Sequence, residues 1–288
     1  MPARFFKSLL FLAALCATPA HALTVEVDAP DELKSLLTQH LETARAARLG
    51  EALDEAELAR LRSLSADTAR DLLATEGYFS PQVDSTLTRV ENDWVLRYAV
   101  TPGPRTRVRS VKIDFTGVLA GADEARLRAR TERGFTLKPA MPFRQADWNA
   151  AKAALLGPLL TTRYPAARIA ASEARIDPAA QSADLALTLD SGPAFFYGQP
   201  KISGNQRYPE SIIRNLSPVK PGRPYHQQDL LDYQAALETS GYYAQATVRI
   251  DPDPALAAAV PVQVEVVERP EKLFSVGAGV STDTGARV

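Results

Sequence analysis

Apolar residues recur along this chain in two rhythms that follow one another in a fixed order. Over 240–285 the rhythm is that of strands: Ala244, Ala246, Val248 and Ile250 alternate with Gln245, Thr247 and Arg249. Val260, Val262, Val264 and Val266 then fall on one face, and the run stops at Glu268-Arg269-Pro270, where proline brings no N–H to a ladder. Residues 274–281 alternate again, now with glycine and alanine between the apolar positions and no charge. Near the start the rhythm is helical. Leu33, Leu36, Leu37, His40, Leu41 and Ala44 predict one amphipathic helix, opened by Pro30 and closed by Gly50. Asp54 with Glu57 three residues on is a capping-box pattern for a second helix, with Leu58, Leu61 and Leu64 on its apolar side. A short third helix over 66–76, with Leu72 and Leu73 inward, stops at Gly77.

These patterns repeat. Tyr78, Tyr164 and Tyr242 each follow a helical stretch and precede an alternating one, and a second strand then ends at Gly103-Pro104, Gly192-Pro193 and Arg269-Pro270. A further strand stands in front of each unit: Leu23, Val25 and Val27; Val111, Ile113 and Phe115; and 200–204. The chain therefore reads as α+β, three tandem modules of strand, helix, helix, strand, strand over 23–104, 105–193 and 194–270. The second module's helix carries Trp148, Ala151, Lys152 and Leu155 and is expected to kink or end at Gly157-Pro158. The third uses Leu230, Tyr233, Gln234 and Leu237 before Gly241, and the corner tyrosines are expected to plug the cores.

The last two strands of each module must pair antiparallel, whereas the first returns through helices and, if it pairs with the last, does so in parallel. The middle strand is then left at an edge with unpaired backbone groups. An extended partner segment can add to such an edge. The candidate docking residues are accordingly Val83, Ser85, Thr86 and Leu87 in the first module, Arg168 and Ser172 in the second, and Gln245, Thr247 and Arg249 in the third.

Composition adds a leader and removes several kinds of chemistry. With 45% hydrophobic and 23% charged residues, the 288-residue chain suits folded domains. Arg4 and Lys7 precede an apolar run over 8–17, and Ala20-His21-Ala22 is a small-residue cleavage site, so 1–22 reads as a secretory signal peptide. The one cysteine, Cys16, lies inside it, which leaves the exported chain without disulfides. Without Arg4 and Lys7, 31 basic residues face 34 acidic ones, a balance that gives no support for nucleic-acid binding. His40 sits in a helical stripe and is read as a packed residue; His226 begins a helix and is read as a solvent or capping residue. With no nucleophile, metal-ligand or phosphate-loop motif, the expectation is a protein that is not an enzyme and has no catalytic residue, cofactor or metal. Arg105, Arg107, Arg109 and Lys112 form the densest basic run and are read as a solvated linker and strand face, with contact to anionic lipid or an acidic partner as the alternative.

Three such units, the Gly241-Tyr242-Tyr243 corner and the Glu268-Arg269-Pro270 junction leading to Phe274 resemble the POTRA modules of the BamA/TamA superfamily of outer-membrane assembly proteins. Residues 274–285 resemble the first barrel strand and turn of its TamA-like branch. The resemblance implies a non-enzymatic periplasmic arm of a Gram-negative outer-membrane protein that assists outer-membrane protein assembly and autotransporter translocation. A β-barrel would begin in 271–288, the rest of it being absent from these residues. It further implies a TamB-like inner-membrane-anchored partner met by 23–104, unfolded outer-membrane proteins as clients, and attachment to the outer membrane through the missing barrel. Two other readings stay open: the arm of a two-partner secretion transporter, whose members usually carry two such modules, and a free-standing periplasmic chaperone.

Overall fold

The computed structural model describes residues 22–51, 53–91, 93–270, 279–281 and 285–287. The expected signal peptide and most of the expected barrel strand lie outside them. The first sheet holds β1 (Leu23–Asp28), β2 (Gln82–Val90) and β3 (Asp93–Thr101) in the order β1-β3-β2. The second holds β4 (Arg107–Thr116), β5 (Arg168–Asp177) and β6 (Ser182–Asp190) in the order β4-β6-β5. The third holds β7 (Tyr197–Ser203), β8 (Tyr243–Arg249) and β9 (Val260–Glu268) in the order β7-β9-β8. In every sheet the first strand pairs in parallel and the second antiparallel with the central one, as a helical crossover followed by a hairpin requires. The three modules of strand, helices and hairpin are thus present. A short antiparallel pair, β10 (Gly279–Ser281) with β11 (Gly285–Arg287), follows.

Packing divides the chain into two compact units. One runs to Thr106 and includes Pro142–Gln145 and Pro178–Gln181; the other takes Arg107–Met141, Ala146–Asp177 and the chain from Ser182 onward.

In the first unit the expected single helix is two, α1 (Asp31–His40) and α2 (Glu42–Leu49), broken at Leu41 with ψ 134°. Leu41 is wholly buried, and the break turns both Leu33 and Leu37 of α1 and Thr43 and Ala44 of α2 toward one core. His40, at the end of α1, is exposed rather than packed. Asp54 does cap α3 (Glu55–Thr75), its Oδ1 accepting from Glu57 N–H at 2.7 Å. That helix runs straight through the expected break at 66. Its buried stripe is Leu58, Leu61, Ser65, Ala69 and Leu73, so Leu64 is exposed and a serine takes the inward place. The exchange is explained by partners: Ser65 Oγ accepts from Thr43 N–H at 3.0 Å and donates to Thr43 Oγ1 at 3.1 Å, and Thr43 meets the Tyr98 hydroxyl at 3.2 Å. Buried polar groups are tolerated when they satisfy one another, and this set joins α2, α3 and β3.

The second unit begins with β4, α4 (Ala125–Gly134) and α5 (Gln145–Leu160). α5 passes through Gly157-Pro158 without ending there. The carbonyl that Pro158 cannot pair, that of Ala154, lies on an exposed residue, where water can take the place of the missing donor. In its third sheet Val260, Val262, Val264 and Val266 are all buried, as their alternation predicts. α6 (Glu210–Asn215) and α7 (Gln227–Thr239) cover that face with Ile213, Leu230, Tyr233 and Leu237. Tyr233 donates to the Ile213 carbonyl at 2.8 Å, and burial pushes its hydroxyl up to about 12.

Tyr78 and Tyr164 are buried as corner plugs, but Tyr242 is 40% exposed and its neighbour Tyr243 is 0% exposed. A register shift between Tyr243 and Gln245 is the cause. The bulge sets Tyr243, Ala246 and Val248 inward and leaves Ala244 outside, against the simple alternation. Within the same unit Phe195 N–H donates to the Arg163 carbonyl at 2.8 Å and Gln227 N–H to the Thr161 carbonyl at 2.9 Å, so the start of the third module is tied to the end of α5.

Candidate functional site

The three middle strands β2, β5 and β8 each occupy a sheet edge. The nine candidate residues therefore lie on three separate sheets and are not brought into one site. Their surroundings differ. Val83 is buried and Leu87 half-buried against the first core, so these two offer only backbone to a partner. Ser85 is already engaged: Arg62 of α3 donates Nε to its Oγ at 2.7 Å and Nη2 to its carbonyl. Thr86 is exposed, in register with Arg97. Arg168 pairs with Asp190 at 2.9 Å, and Ser172 is exposed beside a register shift between Ile169 and Ala171. Thr247 and Arg249 do come together with Lys201, Gln263 and Glu265 around a shallow 240 Å³ depression on the outer face of the third sheet, and Gln245 lies exposed beside them.

Each sheet has a second edge that the sequence reading passed over, that of its first strand. A 470 Å³ groove runs beside β1, lined by Val25, Glu26, Val27 and Asp28 with Lys34 and Thr38 of α1. Another of 380 Å³ lies beside β4, where Val111 and Ile113 face Phe135, Leu137 and Pro139. β4 is partly covered upstream, since Val108 exchanges backbone bonds with Met141 and Ala140 at 2.9 and 2.8 Å. Parallel pairing with the central strand was legible in sequence; the space left on the other side depends on where a loop packs.

The basic run of the linker is absorbed by ion pairs and carbonyls. Arg105 and Arg144 converge on Glu76 at 3.4 and 2.8 Å, while Thr106 N–H donates to the carbonyl of Gly77, whose φ is 93°. Arg107 donates to the Ala140 carbonyl at 2.8 Å, and Lys112 pairs with Asp114 at 2.9 Å. Arg109 Nε donates to Asp184 at 2.9 Å and Ser110 Oγ at 2.6 Å, and these bonds, Arg109's first, lower the Asp184 carboxyl from 3.8 to about 2. A lowered folded-state pKa stabilises the fold above the ordinary carboxylate range, and that contribution disappears as pH falls through the folded value. The stability gap between wild type and Asp184→Asn is expected to be constant above pH ~5 and to close only below pH ~2. Acid titration followed by circular dichroism checks this; a gap that does not change with pH would show the pair to be inert.

The most organised polar site among the described residues is the exit of the third module. Glu268 Oε1 accepts from the backbone N–H of Gln206, Arg207 and Tyr208, each at 2.9 Å. These bonds, that of Tyr208 first, hold its carboxyl below the usual range against the opposing effect of burial. Next to it Arg269 N–H donates to the Tyr242 carbonyl at 2.9 Å, Nε to the Tyr243 carbonyl at 2.9 Å and Nη2 to the Glu238 carbonyl at 3.3 Å. Tyr208 and Tyr242 stack edge to face at 5.0 Å, with the Arg207 guanidinium over Tyr208. Glu268 and Arg269, which the sequence reading used only as a strand stop, thus fasten the end of β9 to both the loop after β7 and the start of β8. Opposite charges standing just before a terminating proline are the one signal that marks them. This geometry is a mechanical fixture; among the described residues no group of three or more His, Cys, Asp or Glu is placed to hold a metal, and no helix is long and apolar enough to cross a membrane.

Comparison with known proteins places these modules. Residues 26–102 match the family described as POTRA domain TamA domain 1, and residues 196–269 match the POTRA family described as surface antigen variable number repeat. Among solved structures the chain is similar to Haemophilus influenzae BamA POTRA3-5, with 20% identity over 86% of this chain and 96% of that one and a TM-score of 0.46. It is also similar to POTRA1-3 of the periplasmic domain of Omp85 from Anabaena, at 15% identity over 87% and 95% with a TM-score of 0.33. CdiB from Escherichia coli is matched at 15% identity over 76% of this chain, which spans 36% of CdiB, with a TM-score of 0.32. With its first and third modules matched in sequence and all three sheets sharing one topology, the chain carries a POTRA region of the BamA/TamA superfamily.

Proposed function

We propose that this chain is the periplasmic arm of a TamA-type outer-membrane protein assembly and autotransporter translocation factor, exported by its N-terminal leader and acting without catalysis. Residues 23–104 face a TamB-like inner-membrane-anchored partner, 105–193 form the middle module, and 194–270 lead to a barrel that begins within 271–288. The observation that carries this reading is the TamA-type POTRA domain at 26–102, at the far end of the chain from the fastened exit at Glu268-Arg269. Nascent outer-membrane proteins add as strands to the edges of β2, β5 and β8, whose backbone groups recognise extended chain with little demand on sequence. Three modules rather than two favour this reading over a two-partner secretion arm.

Photoreactive residues at Thr86, Ser172 and Thr247, one on each middle strand and none fully buried, test edge docking in cells. Crosslinks to an inner-membrane-anchored protein at Thr86, or to unfolded outer-membrane proteins at any of the three, are the expected result. Absence of envelope adducts at all three positions would remove edge docking from the account.

A further inference from the structure

Among the described residues, three exposed arginines without partners lie together on α4, outside the basic run at 105–112. Residues 105–193 hold 14 Lys and Arg against 9 Asp and Glu, whereas 23–104 hold 8 against 15. α4 reads ARLRARTERG and buries none of its residues fully. Arg128 is turned back onto the Leu119 carbonyl at 2.7 Å, but Arg126, Arg130 and Arg133 are exposed, and their guanidinium groups have no hydrogen-bond or ion-pair partner among the described residues. At four and three residues apart they form one row, spanning about 10 Å at a rise of about 1.5 Å per residue. Beside this row α4 stands off from α5 and leaves a 260 Å³ cleft lined by Leu127, Ala154, Leu155, Pro158 and Leu159, with Arg130 at its rim.

We propose that the cleft between α4 and α5 is a docking site for an acidic amphipathic segment of a partner protein. One or two of the segment's apolar side chains enter the cleft, and carboxylates on successive turns meet Arg126, Arg130 and Arg133. Charge complementarity selects the partner's sign. The shape selects a peptide over a lipid surface, because an interfacial helix inserts an exposed apolar face, and the outer face of α4 offers arginines instead. The cleft also falls below the roughly 300–1,000 Å³ of sites that enclose a small molecule, a size that suits single side-chain anchors. This site is separate from the strand edges and does not depend on which secretion branch the arm serves.

The test uses the whole chain and a fluorescein-labelled 18-residue helical peptide of glutamate, alanine and leucine, with leucines along one face. Its control carries serine at the leucine positions, and phosphatidylglycerol vesicles are titrated in parallel. Fluorescence anisotropy is expected to show binding of the leucine peptide that weakens at least ~10-fold for the serine control, for Arg126→Glu/Arg130→Glu/Arg133→Glu and for Ala154→Trp, which fills the cleft from an exposed position. Circular dichroism confirms that both variants fold. Equal affinity of wild type and Ala154→Trp, or no binding of the leucine peptide at about 1 mM, a binding energy of only about 4 kcal/mol, would overturn the proposal. So would vesicle binding that is lost in the triple variant while peptide binding is unchanged, an outcome that assigns the arginines to a membrane.

Discussion

Alanine at Tyr243 is expected to destabilise the third module by about 3 to 5 kcal/mol, the range for removing a large aromatic ring from a packed core. Tyr242→Ala, one residue away, is expected to stay within about 1 kcal/mol because its ring is partly exposed. The difference follows from the bulge between Tyr243 and Gln245, which sends the second tyrosine of the pair under α7 among Ile213, Tyr233, Leu237 and Val266. A third variant separates ring from hydroxyl. The Tyr243 hydroxyl is buried without a hydrogen-bond partner among the described residues, so Tyr243→Phe is expected to be neutral or slightly stabilising. Hydrogen exchange is the appropriate readout for a chain of several modules, since one unfolding free energy does not describe it. Protection in β7, β8 and β9 should fall in Tyr243→Ala, while β1–β3 keep theirs. Because Arg269 Nε bonds the Tyr243 carbonyl, the same variant should also loosen the exit. Equal damage from Tyr242→Ala and Tyr243→Ala would show that the bulge does not set the core.

The alternation of Val260, Val262, Val264 and Val266 was sufficient to place β9, because a central strand with one face buried leaves a period-2 record. Sheet order was legible for a related reason: two helices between strands leave few ways to return. What escaped the pattern has distinct physical causes. Ser65 and Thr43 are buried polar residues whose partners come from other elements, so their inward placement looks like an error in an apolar stripe. The break at Leu41 carries no glycine or proline and is enforced by tertiary packing. Which of Tyr242 and Tyr243 turns inward depends on a one-residue bulge that no side chain announces. For the candidate site, edge position was readable from topology, whereas occupancy was not. Arg62 covering Ser85, and the ion pairs that consume Arg105 and Arg109, link residues tens of positions apart. The free row on α4 looked no more basic in sequence than the consumed run on β4. Glu268 was the hardest to foresee, since its partners are backbone N–H groups.

Alanine at Gly204 is expected to release that carboxylate clamp from its other side. Gly204 has φ 88°, and a Cβ built there lies 2.0 Å from the Val266 carbonyl oxygen and 3.1 Å from its carbon. A side chain therefore meets two penalties at once: a left-handed backbone and an overlap with the central strand that only movement of the loop or of β9 can relieve. The expected loss is about 2 to 4 kcal/mol, the range for a strained backbone combined with a disturbed hydrogen-bond network. Since β9 ends two residues after Val266, the displacement is passed directly to Glu268, and the amides of Gln206, Arg207 and Tyr208 should lose exchange protection first. Glu268→Gln supplies the comparison. It leaves the backbone unstrained but replaces a carboxylate by a neutral amide oxygen, so only the same three amides should weaken, and by less. Its difference from wild type should shrink in acid, because the lowered folded pKa of Glu268 makes its contribution one that is present at neutral pH and lost as pH falls through that value. A Gly204→Ala chain that kept all three amides protected would mean that the loop is held by something other than Glu268, and the carboxylate would then not be what fastens it to the end of β9.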